Sequence, residues 1–458
     1  MPFTPGRLES SLGECLAAVD APVTGLCVAL SGGLDSSVLL AALVAGGVAR
    51  SLPTRAIHVD HGLHADSREW SKSCARLAAA LSVPLEQVVV DARPGPGESP
   101  EAAARAARYS AIAARLRPGE VLLTAHHADD QVETVLLQWL RGGGLRAVAG
   151  MSAVSRFRSG WHARPMLGFS RAELEAWARA QGMSWLTDSS NLDPRFDRNY
   201  LRLEVLPAIR RRWPAVARTI GRVAAQAAES LAIEEEIAGA DLAMASDGDA
   251  LSLERLDLLP GTRRRWVLRA WLRGLGLPVP SLATLTALVH DMSRSADDRV
   301  PCTNWPGARV YRYRARLFAV SEDSASAVLP EGDWPLAVPF DLGALGRLEW
   351  VAATGTGLSR DRLPPAVRVR RRVAGEHFVP AGSSQHRPLR KWLQERGVLP
   401  WRRGQVPLVC VGDEIVAVGD LSCAASYAAR PGEPSWAVAW RGRPAVTERE
   451  VLEVKRDD

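Results

Sequence analysis

Lysine is almost missing from this chain. Of its 57 basic residues only Lys72, Lys391 and Lys455 are lysine, and the others are arginine. Basic residues outnumber acidic ones, which leaves a formal net charge of +6 at pH 7. A GC-rich genome that favours arginine codons explains the arginine content by itself, whereas phosphate contact through forked guanidinium groups is the functional explanation. The charge therefore indicates a polyanionic partner without identifying it.

Paired cysteines and long apolar segments are missing as well. The cysteines contain no Cys-x-x-Cys pair, which argues against a zinc site and a disulfide framework and fits a reducing compartment. They are Cys15, Cys27, Cys74, Cys302, Cys410 and Cys423. The apolar run after Ser37 ends at Arg50, too short for a bilayer, and the N-terminus lacks a signal pattern. We therefore expect a cytoplasmic protein without a membrane partner.

The most informative segment covers residues 27–40 and reads CVALSGGLDSSVLL. Its apolar start predicts a buried parallel strand, followed by a tight turn and a helix that opens at Asp35 or Ser36. The glycines let the backbone approach a bound group, and the helix N-terminus supplies N–H groups for an anion. The pattern is neither a Walker A loop nor the dinucleotide fingerprint. A glycine-rich turn without any ligand is the structural alternative.

Strands and helices alternate through the first half of the chain. We predict strands over 55–60, 85–90 and 121–124, and helices over 36–45, 99–115 and 129–141. This alternation predicts an α/β fold with a doubly wound parallel sheet, in which ligands bind at the carboxyl ends of the strands. Ser31 follows the strand predicted at the start of residues 27–40, and His61 and His126 follow the strands over 55–60 and 121–124. We therefore expect these three residues to converge on one crevice.

The rest of the chain suggests two further domains. We predict a catalytic domain over 1–213, a helical connector and RNA-binding domain over 214–325, and a small α+β domain over 336–458. A Ser, Ala, Asp and Pro-rich stretch at 321–335 resembles a linker.

Two charged pairs lie at helical spacing. Asp130 and Glu133 share one face of the helix over 129–141 and can hold a cation, either Mg²⁺ or a protonated amine. Acids that complement the helix dipole are the alternative. Arg105 and Arg108 share a face of the preceding helix and can neutralise phosphate charge, or form a solvated salt-bridged face. The apolar face of the helix over 129–141 is expected to contain Val132, Val135, Leu136 and Trp139.

The string SGGLDS at 31–36 resembles the PP-loop of the N-type ATP pyrophosphatases, which cleave ATP between its α and β phosphates. Further motifs follow in order, and together they resemble the tRNA(Ile)-lysidine synthetase family. These motifs are VDHGL (59–63), EAAARAARY (101–109), HHADDQVET (126–134), RGGG (141–144), DSSNLD (188–193) and RNYLR (198–202). The resemblance is dense over about 25–215 and continues at RPLRKWLQERGVLP (387–400), where relatives often have lysines in place of these arginines.

The resemblance implies an ATP-dependent ligase. Such an enzyme adenylates C2 of the wobble cytidine in CAU-anticodon tRNA(Ile) and joins free L-lysine to it, which releases AMP and pyrophosphate. A base modified at C2 has to be unstacked and held in a pocket. The protein could also form a homodimer, which the sequence does not decide.

The resemblance also implies roles for individual residues. The ATP phosphates are expected at Ser31, Gly32, Gly33, Leu34, Asp35 and Ser36, with Mg²⁺ held by Asp35. His61 is expected to contact ribose or phosphate, although it can also simply cap its turn. Asp130 and Glu133 are expected to bind the lysine, and one of them to take its proton. Arg105 or Arg108 is expected to stabilise the phosphate charge.

Three other functions compete with this interpretation. A PP-loop tRNA thiolase needs cysteines that deliver sulfur, but Cys27 falls in a predicted buried strand and Cys74 in a helix. A small-molecule synthetase that makes NAD or GMP does not need an arginine-rich C-terminal half. An inactive RNA-binding protein does not need a complete set of acidic and glycine positions at the site.

The C-terminal half has features that suit contact with RNA. We predict a strand with Val367 and Val369 on one face and Arg368, Arg370 and Arg372 on the other, with Val373 nearly continuing the alternation. A helix is expected to bury its apolar residues Leu389, Trp392 and Leu393, leaving outside the basic residues Arg387, Arg390 and Lys391. Basic clusters also occur at 210–212 and 263–265.

Overall fold

The computed structural model describes residues 2–60, 67–93, 100–158, 160–186, 193–294, 300–336 and 338–453. The chain divides into two compact units, Met1–Ile233 and Glu234–Asp458. None of the helices in the described ranges is long and apolar enough to cross a membrane.

The first unit is an α/β domain around a six-stranded sheet. Its strands are β1 (Gly25–Ala29), β2 (Thr54–Asp60), β3 (Leu85–Val89), β4 (Glu120–Leu123), β5 (Val154–Phe157) and β6 (Gly160–Ala163). Its helices are α1 (Pro5–Ala17), α2 (Leu34–Gly46), α3 (Val48–Ser51), α4 (Ser67–Ala80), α5 (Pro100–Ala113), α6 (Ala128–Leu140), α7 (Leu145–Ala149), α8 (Arg171–Ala180), α9 (Asp197–Tyr200) and α10 (Leu206–Arg212). A π-helix, Leu201–Val205, joins α9 to α10, and α11 (Val216–Ala245) continues into the second unit.

The sheet confirms the predicted doubly wound architecture. Its strand order is β3-β2-β1-β4-β6-β5, and every pair is parallel except β5 with β6. Alternate residues of β1 pack on opposite faces: Leu26 and Val28 lie in the core with α1, α2 and α8, and Cys27 lies in the core with α5. Strands β2 and β3 extend the sheet on one side of β1, and β4 pairs with β1 on the other side. The loops after β1 and β4 therefore flank the ligand crevice that is typical of such sheets.

A buried ion pair closes the opposite edge of the sheet. Arg55 Nε and Nη2 each donate to Glu120, at 2.7 Å, and Nη1 donates to Glu86 at 2.9 Å. Arg55 and Glu120 are 6% and 7% exposed. Burial opposes ionisation of Glu120, but the hydrogen bond from Arg55 outweighs it and lowers the pKa of that carboxyl. The pair therefore joins the starts of β2 and β4 across β1, and removal of Arg55 would leave the buried Glu120 carboxylate without its ion-pair partner.

The second unit combines helices with antiparallel sheets. Its strands are β7 (Ser246–Asp247), β8 (Ala250–Ser252), β9 (Cys302–Trp305), β10 (Ala308–Tyr313), β11 (Arg316–Ser321), β12 (Gly332–Pro335), β13 (Phe340–Asp341), β14 (Arg347–Thr354), β15 (Leu358–Ser359), β16 (Ala366–Arg370), β17 (His377–Phe378), β18 (Arg387–Pro388), β19 (Leu408–Val411), β20 (Glu414–Val418), β21 (Ser422–Cys423) and β22 (Pro434–Arg441). Its α-helices are α12 (Leu253–Asp257), α13 (Gly261–Gly274), α14 (Leu282–Arg294), α15 (Glu322–Ser326), α16 (Leu389–Glu395) and α17 (Glu448–Leu452). Short 3-10 helices occupy Gly343–Leu345 and Arg360–Arg362.

The prediction of a linker at 321–335 is wrong. Ser321 caps α15 by accepting from the Ser324 N–H, and β12 pairs with β16. Trp334 on β12 is fully buried and stacks on Trp350 at 4.2 Å between ring centroids. The small polar residues of this stretch resemble a loop in composition, but here they cap a helix and flank a core tryptophan.

The predicted C-terminal elements are confirmed where the apolar pattern is strong. Val367 and Val369 are buried on β16, although the strand ends at Arg370 and Val373 is 62% exposed. Leu389, Trp392 and Leu393 are buried on α16, with Arg390 and Lys391 exposed.

Candidate active site

The loop after β1 is closed by the hydroxyl of Ser36. The Ser31 N–H donates to Ser36 Oγ at 3.1 Å, and the two serine Oγ atoms lie 2.9 Å apart. Ser36 Oγ also donates to the Gly33 carbonyl at 3.2 Å, and the Gly33 N–H donates to Ser31 Oγ at 3.4 Å. Ser36 is buried, so its hydroxyl shapes the turn from inside. Helix α2 begins at Leu34, one or two residues earlier than predicted.

Glycine is required at position 32. Its φ of +82° is a left-handed conformation, and an added Cβ would lie 3.0 Å from Cys74 Sγ and 3.3 Å from Leu186 Cδ1. The Gly32 carbonyl accepts from the Leu186 N–H at 3.1 Å. The loop is therefore held between α4 and the segment that leads to the DSSNLD motif, whose residues 188–192 lie outside the described ranges.

Asp35 lies in the first turn of α2 and fits the predicted role of metal ligand. Its Oδ1 atom is buried and has no hydrogen-bond partner among the described residues. A buried carboxylate oxygen without a donor is costly unless a cation accompanies it, and Mg²⁺ prefers carboxylate and phosphate oxygens. Among the described residues no group of three or more His, Cys, Asp or Glu forms a separate metal site. Asp35 therefore suits an ion that arrives together with phosphate.

His127 joins Asp35 to the start of α6. Its Nε2 atom lies 3.7 Å from Asp35 Oδ2 and 3.4 Å from Asp130 Oδ2. Its Nδ1 accepts from the Asp130 N–H, and the Asp130 carboxylate accepts from the His127 N–H, which forms a capping box. Burial opposes the imidazolium charge, but the nearby carboxylates of Asp35, Asp130 and Asp129 outweigh it and raise the pKa of His127.

Asp130 and Glu133 are paired with two arginines. Arg198 donates from Nη2 to Asp130 at 2.9 Å and from Nε to Glu133 at 2.7 Å. Arg202 donates from Nε and Nη2 to the two oxygens of Glu133 at 2.7 and 2.9 Å. The sequence pattern does not reveal these arginines as partners of the two carboxylates, although the RNYLR motif contains both. Both carboxylates are brought together as predicted, and both are already in contact with cations.

The prediction of the apolar face of α6 is partly wrong. Val132 and Val135 are buried, but Trp139 is 62% exposed. Glu133, expected on the polar face, is 1% exposed. Ion pairing with Arg198 and Arg202 makes this burial tolerable, and sequence periodicity cannot detect such a partner because the arginines lie more than 60 residues away.

Asp129 connects α6 to two further elements. One oxygen accepts from the Arg171 N–H at 2.7 Å, at the start of α8, and the other pairs with Arg210. Arg210 belongs to the basic cluster at 210–212, so one member of that cluster has a structural partner within the unit.

A second, uncharged cluster lies beside the first. Thr124 Oγ1 contacts His126 Nδ1 at 2.8 Å and His162 Nε2 at 2.7 Å. Burial, the charge of Arg164 and the neighbouring His162 lower the pKa of His126 to about 2. Burial and the charges of Arg164 and Arg105 lower the pKa of His162 to about 3. Both imidazoles are therefore neutral at physiological pH.

Arg105 and Arg108 flank Tyr109 on α5. Their Cζ atoms lie 4.9 and 5.9 Å from the Tyr109 ring centroid, and Tyr109 packs against His162 at 5.9 Å. Arg105, through its contact with Tyr109, lies on the side of α5 near His162 of β6, and its charge helps to lower the pKa of both His126 and His162. His61 lies outside the described residues.

Comparison with known proteins decides the family. A PP-loop domain model matches residues 7–209, a TilS substrate binding domain model matches 251–318, and a TilS substrate C-terminal domain model matches 367–440. The tRNA(Ile)-lysidine synthase of Alkalilimnicola ehrlichii is 41% identical over 431 residues, which cover 94% of this chain and 96% of that protein. The enzyme of the same name from Methylococcus capsulatus is 38% identical over 90% of this chain and 95% of its own. The chain belongs to the tRNA(Ile)-lysidine synthase family.

Among solved structures, a U34-tRNA thiolase from Methanococcus maripaludis is similar at a TM-score of 0.40 and 14% identity, covering 48% of this chain and 77% of its own. That similarity is too low to support an argument about activity.

In this chain, burial raises the pKa of the Cys27 and Cys74 thiols to about 12. Both thiols stay protonated and buried, which is unsuited to sulfur delivery, so the thiolase alternative is not favoured.

We predict that Gly32→Ala destabilises the loop by more than the cost of backbone strain alone. A left-handed alanine costs about 1–2 kcal/mol, and here the methyl group also meets Cys74 Sγ. Gly142→Ala is the matched control, because Gly142 has φ of +77° and open space around its Cβ position. Calorimetric titration with a non-hydrolysable ATP analogue should show at least about tenfold weaker binding for Gly32→Ala only. Equal loss in both variants would contradict the steric argument.

The two histidine environments predict opposite pH dependence of stability. The raised pKa of His127 stabilises the fold below about pH 6.5, and this contribution is lost as pH rises through the folded-state value. The lowered pKa of His162 stabilises above about pH 6.5 and is lost on acidification, by about 1 kcal/mol near pH 5.5. Thermal melting between pH 5.5 and 8 should therefore show that His162→Gln reduces the acid loss, whereas His127→Asn increases it. The same pH profile in both variants would refute this assignment.

Proposed function

We propose that this chain joins free L-lysine to C2 of the wobble cytidine in CAU-anticodon tRNA(Ile), in a reaction that converts ATP to AMP and pyrophosphate. The observation that carries the proposal is the clustering of Asp35, His127, Asp130 and Glu133 directly beside the loop after β1. Membership of the tRNA(Ile)-lysidine synthase family supplies the substrate class. We expect the reaction to take place in the cytoplasm.

The loop is suited to bind the ATP phosphates. The start of α2 presents N–H groups and the positive end of the helix dipole, and Ser31 adds a hydroxyl. Asp35 would hold Mg²⁺, which neutralises charge on the departing pyrophosphate. Arg105 or Arg108 would stabilise the same charge from α5. The cytidine O2 then attacks the α phosphorus, and pyrophosphate leaves.

The paired carboxylates suit the second substrate. The ε-ammonium group of lysine must lose a proton before it attacks, and we expect Asp130 or Glu133 to accept it. Arg198 and Arg202 lie beside them, so the site offers cations for the lysine carboxylate as well as anions for its ammonium group. The lysine Nζ then bonds to C2 of the adenylated cytidine, and AMP leaves with the former C2 oxygen.

Ion pairing narrows the candidate RNA contacts. Several predicted basic residues already pair with carboxylates of their own unit, namely Arg210, Arg263, Arg264, Arg370 and Arg387. Within the described ranges, Arg211 and Arg212 of the first unit and Arg368, Arg390 and Lys391 of the second form no ion pair and remain available for phosphate groups. Whether two copies associate, as a homodimer would require, is decided by sedimentation equilibrium.

The direct test uses ATP, radiolabelled lysine and CAU-anticodon tRNA(Ile). We expect label in the tRNA and one AMP released per lysine incorporated. A transcript whose wobble cytidine is replaced by uridine is the control and should receive no label. ATP consumption without transfer of label would overturn the proposal.

We predict that Asp130→Asn and Glu133→Gln weaken lysine use while ATP binding is kept. Loss of either charge removes a partner of the lysine ammonium group and should lower kcat/KM for lysine at least about tenfold, or roughly 1.4 kcal/mol. Glu175→Gln, which alters an exposed pair with Arg179, is the control and should leave lysine use unchanged. Unaltered lysine dependence in both site variants would exclude these carboxylates from the lysine site.

A further inference from the structure

The uncharged cluster beside the acidic site is a chain of hydrogen bonds that the sheet holds in place. Strand β4 pairs with β6 so that Leu122 lies opposite His162, and the Thr124 N–H donates to the Ala163 carbonyl at 3.2 Å. Side chains two residues apart along an extended chain share a face, so Thr124 follows Leu122 on the face that carries His162. Leu122 lies in the core with α5, which locates this face of the sheet.

The direction of the chain of hydrogen bonds follows from Arg164, because a guanidinium group only donates. Its Nη1 donates to the Ser152 carbonyl at 2.7 Å, and its Nη2 lies 3.0 Å from His162 Nδ1. His162 Nδ1 therefore accepts, and the single ring proton of a neutral imidazole is on Nε2. His162 is buried, and its pKa of about 3 keeps the ring neutral at physiological pH.

Thr124 transmits this direction to His126. Its Oγ1 lies 2.7 Å from His162 Nε2 and 2.8 Å from His126 Nδ1. Since His162 Nε2 donates, Oγ1 accepts there, and its one hydrogen is left for His126 Nδ1. The described part of the chain offers that hydrogen no other acceptor. His126 Nδ1 therefore accepts as well, and the proton of the His126 ring is on Nε2.

The last donor of the chain, Nε2 of His126, is open to a ligand. The ring is half-buried on the loop after β4, which flanks the crevice, and Nε2 has no hydrogen-bond partner within the described ranges. It is also not one of the fully buried polar atoms that lack a partner, so it is accessible. The charges of Arg105 on α5 and Arg198 on α9 both act on the ring. An N–H donor near two cations suits an anionic oxygen, and a cluster used for packing alone would satisfy its last donor within the protein.

We propose that His162 is a positioning residue that, through Thr124, fixes His126 as a hydrogen-bond donor at Nε2 to a phosphate oxygen of the nucleotide in the crevice. This inference deepens the proposed function and rests on ATP as a substrate of the site. It also separates His126 from the carboxylates of α6, because a ring that carries its proton on the outer nitrogen does not serve as the base for the lysine ammonium group.

Nitrogen-15 NMR of the full chain labelled at histidine tests the tautomer without any substrate. We expect His126, assigned through the signals lost in His126→Gln, to carry its proton on Nε2. Thr124→Val keeps the side-chain shape but removes the hydroxyl, and His162→Leu removes the donor to that hydroxyl, so both should move part of the proton to Nδ1. His162→Gln can accept from Arg164 and donate to Thr124 and should restore the native tautomer. Ser155→Ala is the control, because it removes a different contact of Arg164.

Titration of the labelled chain with a non-hydrolysable ATP analogue tests the phosphate contact. The Nε2 signal of His126 should shift with the analogue but not with saturating adenosine, which lacks phosphate. Calorimetry should show the analogue bound at least about threefold more weakly by Thr124→Val and His162→Leu, as expected for one weakened hydrogen bond. The variants His162→Gln and Ser155→Ala should bind it like the native chain. Circular dichroism checks folding, and if His162→Leu is unfolded the Thr124→Val result decides.

Three results would overturn the proposal. They are a His126 proton on Nδ1 in the native chain, an unchanged tautomer in the folded Thr124→Val variant, and a His126 signal that does not respond to the ATP analogue. Neither measurement uses lysine or tRNA, so the outcome is distinct from that of the proposed function. If the analogue shifts the His126 signal but lysine is not incorporated, only the proposed function fails.

Discussion

Mutual neutralisation of buried charges at the carboxyl end of the parallel sheet is the interaction on which the candidate site depends. Acidic side chains from α2 and α6 converge there, and none of them tolerates burial without a cation. Asp129, Asp130 and Glu133 each pair with an arginine, and His127 lies between Asp35 and Asp130. The arginines are Arg198, Arg202 and Arg210. Oδ1 of Asp35 is buried and has no hydrogen-bond partner among the described residues.

The cations come from a part of the chain that is distant in sequence. Arg198 lies on α9, Arg202 on the π-helix that follows and Arg210 on α10. The wider turn of a π-helix changes the direction of successive side chains, and such segments are frequent at functional sites. This helical stretch therefore does two things: it completes the charge balance of α6, and it places cations where a zwitterionic substrate needs them. The histidines beside it are kept neutral by burial and by nearby arginines.

The local parts of this arrangement were predictable. The SGGLDS loop, the strand before it and the helix after it follow from apolar runs and glycine chemistry, and all lie within about two residues of their expected places. The approach of Asp130 to Glu133 follows from helical spacing. The burial of Glu133, the exposure of Trp139 and the order of residues 321–335 did not follow, because each depends on a partner far along the chain.

What the sequence determined by itself is the α/β class, the loop after β1 and the acidic helix, because these follow from short-range periodicity and turn chemistry. Only the tertiary structure decided which charges neutralise each other and which stay without a partner. The ion pair of Arg198 with Glu133 and the unpartnered Oδ1 of Asp35 depend on distances set by packing, to which no local pattern is sensitive. Whether an arginine has a carboxylate neighbour depends on tertiary packing and not on sequence order. Packing therefore also distinguishes the arginines that stabilise the fold from those available to RNA.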